Sequence, residues 1–239
     1  MKRRGAWGVA VGALALLGGC VGASVKPDAV KQVKTVAIVS ISNKDMLPGA
    51  SQTNYGGAYR AQMESIYDSL ADKLGGAGFV VVKRADLVAN EKFADAYQRL
   101  THVDLAGQPA AFVEKSGHFN LADQAQRAQL LDALAVDAVA MVDITYTAGN
   151  ASGVQMGGHG KMTRFPQASV DFSLYDRALP GAIWQDWRCM GHWASQGIED
   201  DSGNRTNKTP GPIFLEAANT SFNKLVARFQ EAKNAPEKK

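Results

Sequence analysis

Two cysteines, Cys20 and Cys189, are all that these 239 residues contain. They allow one bridge at most, which excludes a small fold held together by disulfides. Long apolar runs are missing too. The apolar stretch near the amino terminus, Ala6 to Leu17, has 12 residues, whereas a helix needs about 20 to cross a bilayer core. Gly8 and Gly12 weaken it further as a helix. No large charge of one sign is present. The 26 basic residues face 23 acidic ones, for a formal net charge of +3, and no basic stripe offers the electrostatic footprint of a nucleic-acid binder. Catalytic signatures are scarce as well. There is no G-x-S-x-G elbow and no H-E-x-x-H pair. "GVQMGGHGKM" (153–162) approaches a phosphate loop but fails it twice. The first required glycine falls on Gln155 and the magnesium-binding Ser/Thr position is Met162. It also leads into an alternating, strand-like segment, with no helix N-terminus to cradle phosphate. Nucleotide binding is therefore not expected.

What is present begins with Lys2, Arg3 and Arg4, followed by the short apolar stretch and then small residues. That order is the architecture of a secretory leader. Its end, Leu17-Gly18-Gly19-Cys20, resembles the lipobox of bacterial lipoproteins. The resemblance implies a diacylglycerol on the Cys20 sulfur, cleavage before Cys20, and acylation of the new amino terminus. The alternative is an ordinary leader cut near Ala23. A single acyl chain binds a membrane marginally and two or more hold it firmly. Val21 follows the cysteine; the absence of an aspartate there favours the outer membrane under the enterobacterial sorting pattern.

Leader removal changes two readings. All three excess positive charges leave with it, so the mature chain carries 23 residues of each sign. With Cys20 lipidated, Cys189 is the only free thiol and no internal disulfide can form. Cys189 lies in a strand-like segment and is expected to be a buried, inert thiol.

Along the mature chain, residues 21–33 are small and polar and are expected to form a tether. "KTVAIVSIS" (34–42) is a β-branched first strand. The Gly/Ser/Asn segment 43–57 precedes a helix with an apolar stripe of Met63, Ile66, Tyr67, Leu70 and Leu74. "GGAG" (75–78) ends that helix, and "FVVVK" (79–83) reads as a buried strand. Two helices follow. The first carries Phe93, Tyr97 and Leu100. The second carries Leu121, Ala125, Ala128, Leu131 and Leu134, with Asn120 and Asp123 at its capped start. "VDAVAMVDITYT" (136–147) is a third strand, and 148–166 is Gly-rich. In 167–176 Ala168, Val170, Phe172 and Leu174 alternate with polar residues, Pro180-Gly181 turns the chain, and 182–190 returns as the paired strand. A polar loop (195–211) leads to Pro212, which opens a last helix bearing Phe214, Leu215, Ala218, Phe222, Leu225, Val226 and Phe229.

The order β-α-β-α-α-β-β-β-α predicts an α/β fold, a three-layer-like sandwich with one mixed sheet of about five strands. The expected organisation is a leader at 1–19, a lipidated tether at 20–33, a single domain at 34–232 and a disordered tail at 233–239.

Three features invite a chemical reading. Asp186, Cys189 and His192 are spaced three apart, but residues three apart on a strand point to opposite faces, and His102, His118 and His159 are scattered. No metal, cofactor or catalytic residue is expected. Glu199, Asp200 and Asp201 sit in the polar loop and read as solvated. Trp184, Trp187 and Trp193 cluster around the last strand, either as core and sheet packing or as an aromatic patch for a protein partner or glycan. The Gly-rich segments 43–57 and 148–166 are candidate contact surfaces, because loops on rigid scaffolds often carry binding.

The lipobox, "VKTVAIVSI", "GGAGFVVV" and "VDAVAMVDITYT" together resemble a group of Gram-negative envelope lipoproteins and periplasmic domains. The group includes the activator lipoprotein of a penicillin-binding protein, the globular part of the curli-secretion lipoprotein and the amino-terminal domain of the Tol-Pal translocation protein. The resemblance implies a compact α/β domain that binds another envelope protein without catalysis. An envelope enzyme acting on peptidoglycan or glycan, or a structural part of a secretion complex, is the alternative. Metabolic labelling with a fatty-acid probe tests the anchor. The wild-type chain is expected to take up label and Cys20→Ala to lose it, and an unlabelled mature wild type would refute the lipobox reading.

Overall fold

The computed structural model describes residues 23–45, 52–101, 119–153, 161–201, 204–205 and 211–234. Its elements, in chain order, are β1 (Ser24–Val25), α1 (Pro27–Gln32), β2 (Thr35–Asp45), α2 (Gln52–Gly76), β3 (Val80–Val81), α3 (Arg84–Ala89), α4 (Glu91–Thr101), α5 (Gln124–Leu134), β4 (Ala138–Gly153), β5 (Lys161–Asp176), β6 (Trp184–Met190), β7 (Ile198–Asp201), β8 (Asn204–Arg205) and α6 (Gly211–Asn234). The sheet runs β1-β6-β5-β4-β2-β3, with β7 paired to β5 and β8 to β7. β2 is parallel to β3 and β4, while β4-β5 and β5-β6 are antiparallel. The architecture is thus the expected α/β fold with a mixed sheet. Among the described residues no helix is long and apolar enough to cross a membrane.

Alternation along β4 and β5 decides which face is core. Ala140, Val142, Ile144 and Tyr146 stand opposite Leu174, Phe172, Val170 and Ala168, and all eight are buried. Helices α2 and α6 lie against this face. The stripe Met63, Ile66, Tyr67, Leu70 and Leu74 is buried on α2, and Phe214, Ala218, Phe222, Leu225 and Phe229 on α6. The Tyr146 ring meets Phe214 edge-on, with centroids 4.9 Å apart. Near the start of β4 both faces are buried, since Ala138, Val139 and Ala140 are all inaccessible. Here α5 supplies the third layer. Its buried Arg127 lies over the Tyr175 ring and donates to the carbonyls of Leu121 and Leu179, each at 2.6 Å. Burying an arginine is tolerable only with such partners.

Several elements depart from the sequence reading. Residues 24–33 are part of the fold and not a loose tether. Ser24 and Val25 pair with Gln185 and Trp184, Lys26 N donates to Ile183 O at 2.8 Å, and Val30 and Val33 are buried. The stretch 79–83 gives only a two-residue strand at the sheet edge, with Val80 exposed, because it has a partner on one side alone. The α5 face in the core is Arg127, Leu130, Leu131 and Leu134, while Ala125 is exposed; the cap is Asp123, which accepts from Ala125 N and Gln126 N. Asn43–Asp45 extend β2, 52–57 begin α2, and 148–153 and 161–166 extend β4 and β5 into a long hairpin. The polar loop contains β7, so Glu199, Asp200 and Asp201 pair with Thr163, Met162 and Lys161. Positive φ among the described glycines is confined to Gly78, after α2, and does not occur at Gly181.

Trp184 is fully buried between Phe172 and Phe229, with ring centroids at 4.3 and 4.2 Å. Its indole Nε1 has no hydrogen-bond partner among the described residues, so its value is packing. Trp184→Ala is expected to cost about 3–5 kcal/mol of unfolding free energy, and Trp184→Phe clearly less, as read by urea denaturation. Equal costs would contradict this assignment.

Candidate functional site

Regular alternation along β6 would put Trp184 and Asp186 inward and Cys189 outward. The register with β5 shows why it does not. Phe172 faces Asp186 and Val170 faces Cys189, so Trp187 and Arg188 both stand opposite the single residue Asp171. This is a β-bulge. Arg188 has φ 52°, in the left-handed region, a conformation that costs a non-glycine residue on the order of 1 kcal/mol. The Asp171 carboxylate offsets part of that cost by accepting from Arg188 N at 2.6 Å.

The extra residue has two consequences. Asp186 and Cys189 both face the core and are fully buried, contrary to the opposite-faces expectation. Trp187, Arg188 and Met190 are all left exposed. His192, beyond Gly191, is exposed as well. The three residues that the sequence offered as one constellation are therefore divided between core and surface. Among the described residues, no group of three or more His, Cys, Asp or Glu is placed to hold a metal ion.

Inside, the Arg228 guanidinium Nη1 lies 3.1 Å from Asp186 Oδ1. Burial raises the Asp186 pKa to about 6, against the opposing pull of Arg228 and Lys224. Cys189 is buried, as the sequence indicated. Burial and then the Asp186 charge push its thiol up to about 11. At neutral pH it is an unreactive S–H, lying 3.6 Å from the carbonyl of Ser221.

Gly191 sets how closely α6 approaches this edge. A Cβ there would lie 2.2 Å from Thr220 Oγ1 and 2.4 Å from Ser221 N. With the space free, Ser221 Oγ accepts from Gly191 N at 3.1 Å and donates to Ala168 O at 2.8 Å. Beside this junction opens a cleft of about 630 Å³ lined by Gln167, Met190, His192, Thr220, Asn223 and Lys224. Four large apolar side chains are exposed among the described residues: Trp187 at 51%, Met190 at 42%, Trp193 at 41% and Val80 at 66%. Three of these fall within seven residues on the β6 side. Trp184 is core, so the tryptophan cluster divides between the packing and the surface readings.

The opposite edge of the sheet carries Val80 and a second cleft, of about 730 Å³, between α2, β3 and α3. Glu64, Asp68 and Asp72 line one wall, one helical turn apart, and Lys83 and Arg84 the other. Arg84 Nη1 reaches Glu64 Oε1 at 3.1 Å. Tyr67, buried beneath, donates to Val82 O at 2.7 Å, and burial raises its phenol far above its ordinary value.

The proposed lipobox, Leu17, Gly18, Gly19 and Cys20, lies outside the described residues, as does Gln155 of the phosphate-loop comparison. The two clefts and the bulge were not found from sequence, and "WR" before Cys189 carries no signal for a bulge.

No protein-family model matches the chain, and no curated protein does. Solved structures with a similar course include a protein described as a neuraminyllactose-binding hemagglutinin homolog from Helicobacter pylori. It is 7% identical with TM-score 0.39, over 85% of this chain and 89% of that one. A lipoprotein from Neisseria meningitidis is 14% identical with TM-score 0.28, over 77% and 94%. A hypothetical protein from Chlamydia trachomatis is 11% identical with TM-score 0.27, over 85% and 99%.

The buried carboxyl gives a pH dependence with a definite sign. Its folded pKa is raised, so its stabilising contribution is complete below the ordinary carboxylate range and is lost as pH rises through about 6. The melting temperature of the wild type is expected to fall between pH 5 and pH 7.5. In Asp186→Asn that decline should flatten; an unchanged slope would assign it to other groups.

Proposed function

We propose that this chain is a lipid-anchored, periplasm-facing lipoprotein of a Gram-negative outer membrane that binds another envelope protein and catalyses nothing. The observation that carries the reading is the join between leader and fold. Cys20, the last residue of the lipobox, lies only four positions before Ser24, which is already paired into the sheet. The separation of Asp186 and Cys189 from His192 supports a non-catalytic role.

The partner surface in this reading is the β3 edge, with exposed Val80 and the charged cleft beside it. It lies at the other end of the strand order from β1, with four strands between them. Its walls of opposite charge favour a segment that itself carries both signs, and such complementarity governs partner choice and encounter rate.

Cross-linking in intact envelopes followed by capture of the protein tests this. Wild type is expected to retain a discrete partner. Val80→Asp combined with Arg84→Glu should reduce its recovery about tenfold, the loss of a hot-spot contact of roughly 1.4 kcal/mol or more. A wild type that captures no partner while the purified protein turns over peptidoglycan or a glycan would overturn the reading.

A further inference from the structure

We infer that the β1/β6 edge of the sheet is a membrane-contact surface, seated on the phospholipid leaflet that holds the Cys20 lipid, with Trp187, Met190 and Trp193 entering the headgroup layer. The inference rests on the lipid anchor proposed above and adds an orientation and a lipid-contacting residue set to it.

The first support is the length of the leash. Cys20 and Ser24 are four residues apart, at most about 14 Å of fully extended chain. A folded chain of this size has a radius of gyration of about 17 Å. The leash is shorter than the domain's own radius, so the surface around β1 stays at the leaflet whatever the domain's tilt. The second support is direction. β1 is antiparallel to β6, with Ser24 opposite Gln185 and Val25 opposite Trp184. At Ser24 the chain, followed towards its amino terminus, therefore points along the course that β6 takes to Trp187, Arg188 and Met190. The third is composition. Among the described residues, three of the four large exposed apolar side chains lie on this side, at Trp187, Met190 and Trp193. Tryptophan is the side chain best suited to the interface, with an apolar ring body and one N–H for the wet side.

Charge agrees with the same occupant. Arg188, held outward by the bulge, His192 and Lys224 flank the aromatic residues, and cations are favoured near lipid phosphates. Asp186, the nearest acid along β6, is buried and paired with Arg228. Asp171 is engaged by the Arg188 backbone. The bulge thus makes a surface of a strand segment that regular pleating would have turned half inward. Each residue it exposes is of a kind that interfacial lipid accepts.

The test uses the mature, lipidated protein in phosphatidylethanolamine/phosphatidylglycerol vesicles carrying a nitroxide quencher on a fraction of the headgroups. The tryptophans left after leader removal are Trp184, Trp187 and Trp193, and Trp184 is sealed in the core. Wild-type fluorescence should drop by about half, as expected for two interfacial tryptophans of three. Trp187→Phe with Trp193→Phe should abolish most of that quenching while the protein still floats with the vesicles. Flotation without quenching of the wild type overturns the orientation and leaves the anchor standing. Failure to float, together with absence of fatty-acid label on Cys20, overturns the anchor itself. A photo-reactive group at position 187 that cross-links in envelopes to a protein and to no lipid also overturns the membrane assignment.

Discussion

The packing of Trp184 ties the two ends of the described chain to the middle of the sheet. It belongs to β6, its backbone pairs with Val25 of β1, and its ring lies between Phe172 of β5 and Phe229 of α6. Phe79, just before β3, stacks on the same ring at 6.4 Å and meets Phe229 at 5.7 Å. One side chain thereby holds the late hairpin, the last helix, the turn after α2 and the amino-terminal strand in register. The unpartnered indole N–H is a cost on the order of 1–3 kcal/mol. The structure accepts it because a ring of that size fills the junction of four elements.

From that junction β6 runs outward, and the next three residues decide what kind of surface the edge presents. Asp186 remains inside with Arg228, and the bulge then spends two residues against one. Cys189 returns to the core and Gly191 lets α6 close over it. The same irregularity that keeps a thiol unreactive puts an indole and a guanidinium in solvent. Core chemistry and surface chemistry on this strand are set by a single unpaired residue.

Much of the fold could be read from sequence, for reasons that are physical. Period-two alternation in 167–176 and the α2 and α6 stripes name their buried faces correctly, because each element has one apolar side and one neighbour. The parallel placement of β2 and β4 followed from the intervening helices. Glycine content misled where backbone pairing overrode it: 148–153 and 161–166 look like loop, yet a long hairpin with matched partners satisfies their hydrogen bonds. Residues 24–33 are polar on average, but Val30 and Val33 anchor them and Pro27 starts a helix. The surface around β6 was out of reach because a bulge is a relation between two strands. Nothing in the Trp187-Arg188 pair by itself reveals that Asp171 will face both. Arg127 was likewise invisible as a core residue, since its burial depends on carbonyls at Leu121 and Leu179 that only the folded chain brings near.

The pairing of Ser24 with Gln185 also bears on the order in which the molecule can be finished. A chain made amino terminus first presents residue 24 long before residue 185, about 160 residues later, and so distant a pairing is entropically late to close. Until then β1 has no strand to join. Closure of this sheet edge is thus a late step: β1 takes its place only once β6, in the carboxy-terminal half, has formed.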